Sequence, residues 1–156
     1  MMTKTCRQIL LITLFTLFIM TLSAAANAAE YVSVKKDGVN IRSGPGTDDK
    51  IVWQVFESFP LQVLERKGKW VHVVDFEGDK GWIYDSLISN KKTVIVTVDT
   101  GNMRDSASTD SPVIATVKKG VVFEALEMKG DWLKVRYKDE LTGWMHTSLI
   151  WPSNPF

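Results

Sequence analysis

Leu64-Glu65-Arg66-Lys67-Gly68-Lys69-Trp70-Val71-His72-Val73 returns 62 positions later as Leu126-Glu127-Met128-Lys129-Gly130-Asp131-Trp132-Leu133-Lys134-Val135. The same offset aligns 32–88 with 94–150 without a gap, and 19 of those 57 pairs are identical. Unrelated segments of ordinary composition would match at about one position in fifteen to twenty. The chain therefore carries one unit twice in tandem, at 30–89 and 93–151, joined through Ser89-Asn90-Lys91-Lys92. Two copies are too few for a solenoid, so each unit has to close a core of its own.

Each copy reads as all-β. Trp132-Leu133-Lys134-Val135-Arg136-Tyr137 alternates, with Trp132, Lys134 and Arg136 on one face and Leu133, Val135 and Tyr137 on the other. The runs Pro60–Leu64 and Val121–Leu126 end at the Gly-containing turns Arg66–Lys69 and Lys129–Asp131, while Ser43-Gly44-Pro45-Gly46-Thr47 reads only as a loop. No window beyond the N-terminus holds a helical apolar period. About five short strands per copy favour a small barrel, which removes exposed sheet edges.

Residues 1–28 read as a secretory signal. Lys4 and Arg7 precede an apolar run from Ile9 to Leu22, and Ala26-Asn27-Ala28 fits a small-x-small cleavage site, with the cut after Ala28 or Ala29. The run is shorter than the roughly 18–20 residues that span a bilayer. Membrane contact is expected only during export, and the destination is expected to be the periplasm. Cys6, the single cysteine, lies ahead of the run. The exported chain would thus hold neither a disulfide nor a thiolate ligand.

Charge excludes further classes. The 19 Lys and Arg against 18 Asp and Glu give +1, and removal of Lys4 and Arg7 leaves about −1. No basic excess is available to offset a phosphate backbone, so nucleic acid is not an expected partner. His72 and His146 fall at non-equivalent positions of the repeat, opposite Lys134 and Tyr84. One His per copy and no Cys is too little for structural zinc. Pairing of either His with Ser86 or Ser148 as a nucleophile has no support in spacing. Asp75-x-Glu77-x-Asp79 mimics part of a calcium loop but lacks the distal bidentate Glu, and it reads as a solvated hairpin. No catalytic residue, cofactor or metal site is expected, and the chain is not expected to be an enzyme.

Aromatic and arginine positions remain. Four of the six Trp are two positions used twice, Trp70 with Trp132 and Trp82 with Trp144. Trp82 and Trp144, after Gly81 and Gly143, are expected in the core. Trp151 is expected to cap the last strand. Arg42 and Arg104, identical between copies, suit loop-pinning through fixed donors, with ligand contact as the other reading.

The ordered set Val39-Asn40-Ile41-Arg42-Ser43-Gly44-Pro45-Gly46-Thr47, Lys-Gly-x-Trp-x-x-Val at 67–73 and 129–135, and Gly81-Trp82-Ile83 with Gly143-Trp144-Met145 resembles the bacterial Src-homology-3 (SH3) domain family across the chain beyond the signal. The resemblance implies tandem small SH3-like β-barrels used as binding modules, often for cell-wall peptides. It places Trp70 and Trp132 in a ligand groove. Tyr84 and His146, two places beyond the Gly–Trp pairs, share a face with Trp82 and Trp144 respectively and are candidate ligand contacts, Trp53 is an additional groove aromatic, and Arg42 and Arg104 stand beside the loop. The implied partner is a peptidoglycan stem peptide or another peptide of the envelope. The alternative is an adaptor that docks on an envelope protein. The second copy departs at Asp105-Ser106-Ala107-Ser108, where both Gly and the Pro are lost. The loop dihedrals, and with them the ligand preferences of the two copies, are expected to differ.

Overall fold

The structure is a computed structural model that describes residues 29–138 and 140–156. The expected signal, 1–28, lies outside the described residues, as does Asp139.

The first copy builds β1 (Tyr31–Val34), β2 (Val39–Arg42), β3 (Ile51–Val55), β4 (Pro60–Lys67), β5 (Trp70–Val74), β6 (Lys80–Tyr84) and β7 (Ile88–Ser89), with a 3-10 turn at Asp85–Leu87. The second builds β8 (Thr93–Val96), β9 (Thr100–Arg104), β10 (Val113–Lys118), β11 (Val122–Lys129), β12 (Trp132–Tyr137), β13 (Leu141–His146) and β14 (Ile150–Trp151), with a 3-10 turn at Thr147–Leu149. Two separate seven-stranded antiparallel sheets result, in the orders β3-β2-β6-β5-β4-β1-β7 and β10-β9-β13-β12-β11-β8-β14. The all-β reading holds. The strands outnumber the five expected per copy because two-residue pairings such as β7 and β14 leave no periodic trace in sequence.

Alternation sorts the faces. Val71, Val73 and Ile83 point into the first core with Ile41 and Leu61, and Leu133, Val135 and Met145 point into the second with Met103. Each long hairpin carries a β-bulge, where the register steps from Val63 to Glu65 and from Ala125 to Glu127. The bulge takes Leu64 and Leu126 out of the pairing and leaves both exposed. It also sets Glu65 opposite His72 and Glu127 opposite Lys134.

The glycines before Trp82 and Trp144 are required by close approach. A Cβ at Gly81 would run into the Ile41 side chain and lie 3.0 Å from the Arg42 carbonyl oxygen. One at Gly143 would stand 2.6 Å from Met103 Cγ. These contacts let β6 and β13 cross close over β2 and β9, whose registered pairs are Arg42 with Trp82 and Arg104 with Trp144.

Apolar contact joins the two copies. Ser33 and Ser89 pair across β1 and β7 and share a 2.8 Å hydroxyl hydrogen bond. Their equivalents 62 positions on are Ile95 and Trp151, paired across β8 and β14. Ile95 is buried in the first copy's core cluster, and Val122 and Trp151 pack against it. The Trp151 ring meets Tyr31 edge-on at 5.6 Å. Trp151 ends the last strand and also serves as the inter-repeat contact. Lys92 Nζ donates to the Tyr31 carbonyl at 3.0 Å, and Lys119 Nζ lies 3.3 Å from Glu77 Oε1.

Candidate functional site

The turn glycines Gly68 and Gly130 take left-handed φ of 59° and 58°, which reverses the chain within two residues and launches β5 and β12 at Trp70 and Trp132. From there, every second side chain faces outward on the sheet. Cross-strand register then assembles two rows on the outer face of each copy.

One row pairs Trp70 with Tyr84, rings edge-on at 5.4 Å, and in the second copy Trp132 with His146 at 5.3 Å. The other runs Arg42, Trp82, His72, Glu65 across β2, β6, β5 and β4. His72 stacks on Trp82 at 4.7 Å with an 11° interplanar angle, and its Nδ1 lies 3.5 Å from Glu65 Oε1. The second copy repeats this row as Arg104, Trp144, Lys134, Glu127. There Lys134 Nζ sits 5.7 Å from the Trp144 ring centroid and 4.0 Å from Glu127 Oε1. A cation lies against the Trp144 face, where the ring quadrupole attracts it.

Trp82 and Trp144 are therefore half-buried members of the outer face, and the expectation of core packing is corrected. Strict alternation sends Ile83 and Met145 inward and their neighbours outward, Trp82 and Tyr84 in the first copy and Trp144 and His146 in the second. Sequence reasoning placed Lys134 on the face of Trp132 without naming it a site residue, and it passed over Glu65 and Glu127. The identity of Glu65 and Glu127 between copies was a signal in the sequence, but the face they occupy is set by the bulges after Val63 and Ala125.

Arg42 and Arg104 each end a row and each pin a loop. Arg42 Nη1 donates to the Asp49 carbonyl at 2.7 Å, and Arg104 Nη1 to the Ser111 carbonyl at 2.6 Å. The loops differ in a compensated way. A Cβ at Gly44 would lie 2.6 Å from Asp49 Oδ2, and one at Gly46 2.9 Å from it. Neither glycine has a left-handed φ. The requirement is space for the Asp49 carboxylate rather than unusual dihedrals, which corrects the dihedral expectation. In the second copy Ser111 replaces Asp49, and Ser106 and Ser108 occupy the glycine positions. Ser111 Oγ accepts from the Ser106 N–H at 2.8 Å.

Trp53 stands apart from these rows. It pairs with Ile41 across β3 and β2, packs on the first core, and its ring would lie 3.2 Å from a Cβ at Gly81. His146 and Ser148 do come together, with 2.8 Å between Nδ1 and Oγ. The same Nδ1 accepts from the Ser148 N–H at 3.3 Å, so this is an exposed cap on the 3-10 turn. Among the described residues no carboxylate is paired with His146, the orienting third group that a nucleophile–base pair uses. Asp75 is buried at the β5–β6 turn, and its Oδ1 accepts the N–H groups of Glu77 and Asp79, each at 2.9 Å. Its carboxylate is committed to the turn. No group of three or more His, Cys, Asp or Glu suited to a metal ion occurs among the described residues.

Two curated bacterial proteins are similar to this chain in sequence. A Bacillus subtilis (strain 168) protein named as an N-acetylmuramoyl-L-alanine amidase, YrvJ, is 26% identical over 141 residues, covering 83% of this chain and 27% of its own. A Staphylococcus epidermidis protein named as a cell wall amidase, LytH, is 25% identical over 108 residues, 60% of this chain and 37% of its own. The chain thus spans about a quarter to a third of the length of these relatives. An NlpC/P60 family protein from Bacillus cereus ATCC 10987 overlaps at 14% identity and a TM-score of 0.36, covering 78% of this chain and 55% of that one, too loosely to carry a functional assignment. Family models described as bacterial SH3 domain match residues 35–90 and 99–150. The chain belongs to the bacterial SH3 domain family and carries two such domains in tandem.

Proposed function

We propose that this chain is a non-catalytic binding module of the bacterial envelope that recognises peptidoglycan through the outer faces of its two domains. The observation that carries the reading is the Arg–Trp–His/Lys–Glu row. It is built at identical registers in both copies, on a face that the core does not need. Half-exposed indoles flanked by fixed cations and a carboxylate suit short peptides whose backbone amides and small polar side chains stack and hydrogen-bond. The names of the amidase relatives agree with a wall ligand, and the signal-like N-terminus agrees with a periplasmic site of action. Residues 29–156, which contain both sheets and both cores, are expected to co-sediment with purified sacculi. Joint replacement Trp82→Ala and Trp144→Ala should abolish retention while the fold persists. Well-folded wild-type protein that stays in the supernatant would refute wall binding. Sacculus digestion by the wild-type chain would refute the non-catalytic reading.

A second reading, an adaptor docking one envelope protein, is favoured by the Ile95, Trp151 and Tyr31 contact, which presents both domains as one surface. Crosslinking in native envelopes should then recover one stoichiometric partner.

A further inference from the structure

Away from the outer rows, a groove of about 570 Å³ runs between β3 and the β5–β6 turn, lined by Val52, Trp53, Phe56, Phe59, Phe76 and Asp79 among others. The equivalents 62 positions on are Ile114, Ala115, Lys118, Val121, Lys138 and Leu141. The second copy reaches the same strand order without one aromatic at these places. The four aromatic rings of the first copy are therefore not demanded by the fold. Phe56 is 43% exposed and Val52 44%, while Phe59 is buried in the first core and Trp53 and Phe76 pack against it as the floor of the groove. Phe56 meets Phe59 edge-on at 5.3 Å, and Phe59 continues to Phe76 at 6.2 Å.

Three further features point to an occupant. Among the described strands, β3 pairs only with β2, so one edge of Ile51–Val55 is without a strand partner. The Trp53 indole N–H is buried and has no acceptor among the described residues. With Asp75 committed to its turn, the groove's exposed charged lining is still acidic on balance, Glu77 and Asp79 against Lys80. The molecule itself shows what that rim accepts. Lys119 of the second domain sets its ammonium 5.7 Å from the Phe76 ring centroid and 3.3 Å from Glu77 Oε1.

We propose that this groove is a second binding site, peculiar to the first domain, for an extended protein segment that alternates apolar and basic side chains and adds as a strand along β3. Apolar side chains would enter the trough of Trp53, Phe56 and Phe59. Basic ones would meet Glu77 and Asp79, and main-chain groups would pair with the open edge. The site is separate from the wall-binding rows, so the two readings can fail independently.

The test uses residues 29–156 and two capped octapeptides, one alternating lysine with valine and one alternating glutamate with valine, titrated by calorimetry. The lysine peptide is expected to bind at least tenfold more tightly than the glutamate peptide. Val52→Ser and Phe56→Ser change exposed side chains and should each weaken it at least tenfold, with thermal midpoint and sacculus retention unchanged. Equal binding of the two peptides, no binding of the lysine peptide, or unchanged affinity in Val52→Ser would overturn the proposal. Self-association of the chain abolished by Val52→Ser, with no peptide binding, would assign the edge to a second copy instead and overturn it equally.

Discussion

Replacing Gly81 by alanine adds one methyl group at the tightest crossing in the first domain. That Cβ would overlap the Ile41 side chain, reach 3.0 Å from the Arg42 carbonyl oxygen and 3.2 Å from the Trp53 ring. Ile41 is fully buried and β-branched, so it has little freedom to turn aside. The Arg42 carbonyl is backbone and yields only if β6 lifts away from β2. Overpacking of this kind costs about 1–3 kcal/mol. Loss of glycine's freedom in the unfolded chain returns about 0.4–1 kcal/mol. A net loss of about 1–2 kcal/mol remains, and at about 4–8 °C per kcal/mol for a domain of this size the midpoint should fall by roughly 5–15 °C. Gly143→Ala should cost less, because its Cβ meets the unbranched Met103 side chain at 2.6 Å and the tip of Ile114 at 2.7 Å. Gly101→Ala is the internal control. Its Cβ would find only ordinary contacts at 3.5 Å, so the unfolded-state gain should leave the midpoint unchanged or raised. Calorimetric or circular-dichroism melting of the three variants decides the matter. Gly81→Ala melting at or above the wild-type temperature, or shifting as Gly101→Ala does, would refute the steric reasoning.

Trp151→Ala removes the ring that joins the domains and should cost about 2 kcal/mol, splitting one calorimetric transition into two. Asp75→Ala leaves two turn N–H groups without their acceptor and should cost about 1–3 kcal/mol in urea unfolding, whereas Asp75→Asn, which keeps an acceptor oxygen, should cost less than half as much. Gly44→Ala should destabilise the wild type but be tolerated beside Asp49→Ser, so a double-mutant cycle should return a coupling of about 1 kcal/mol or more. The Arg136 guanidinium hydrogen bond, reinforced by Lys91 and partly opposed by burial, holds the Glu124 carboxyl below its ordinary value. The folded state then releases that proton more readily than the unfolded one. The stabilisation is complete above the ordinary carboxylate range and lost as pH falls through the depressed folded value. Urea midpoints of wild type and Glu124→Gln should therefore converge toward pH 3 and differ most near pH 7.

Much of the site was legible because a β-strand has a period of two and a hairpin fixes partners. Given Trp70 and Trp132 after Gly-containing turns, alternation already placed His72 and Lys134 on their face, and the Gly–Trp pairs placed Tyr84 and His146 beside Trp82 and Trp144. The direction of Trp82 was misread because size suggested a core residue, while parity along Gly81-Trp82-Ile83 sends Ile83 inward. Glu65 was hidden by the bulge at Leu64, since a one-residue insertion inverts every face assignment beyond it and no simple alternation reports it.

The sequence alone determined the duplication, the all-β class, the turn positions and the family, because these are written in spacing within about ten residues or in comparison of one copy with the other. Tertiary structure alone decided that Ile95 and Trp151 take the places of a hydroxyl pair in order to seal one domain to the other. It also decided that Asp49 is the reason for Gly44 and Gly46, and that Trp53, Phe56, Phe59 and Phe76 line a single groove. Each of these depends on which residues from distant strands share one volume, and exclusion of two atoms from the same space is a property of the packed chain that no local pattern encodes.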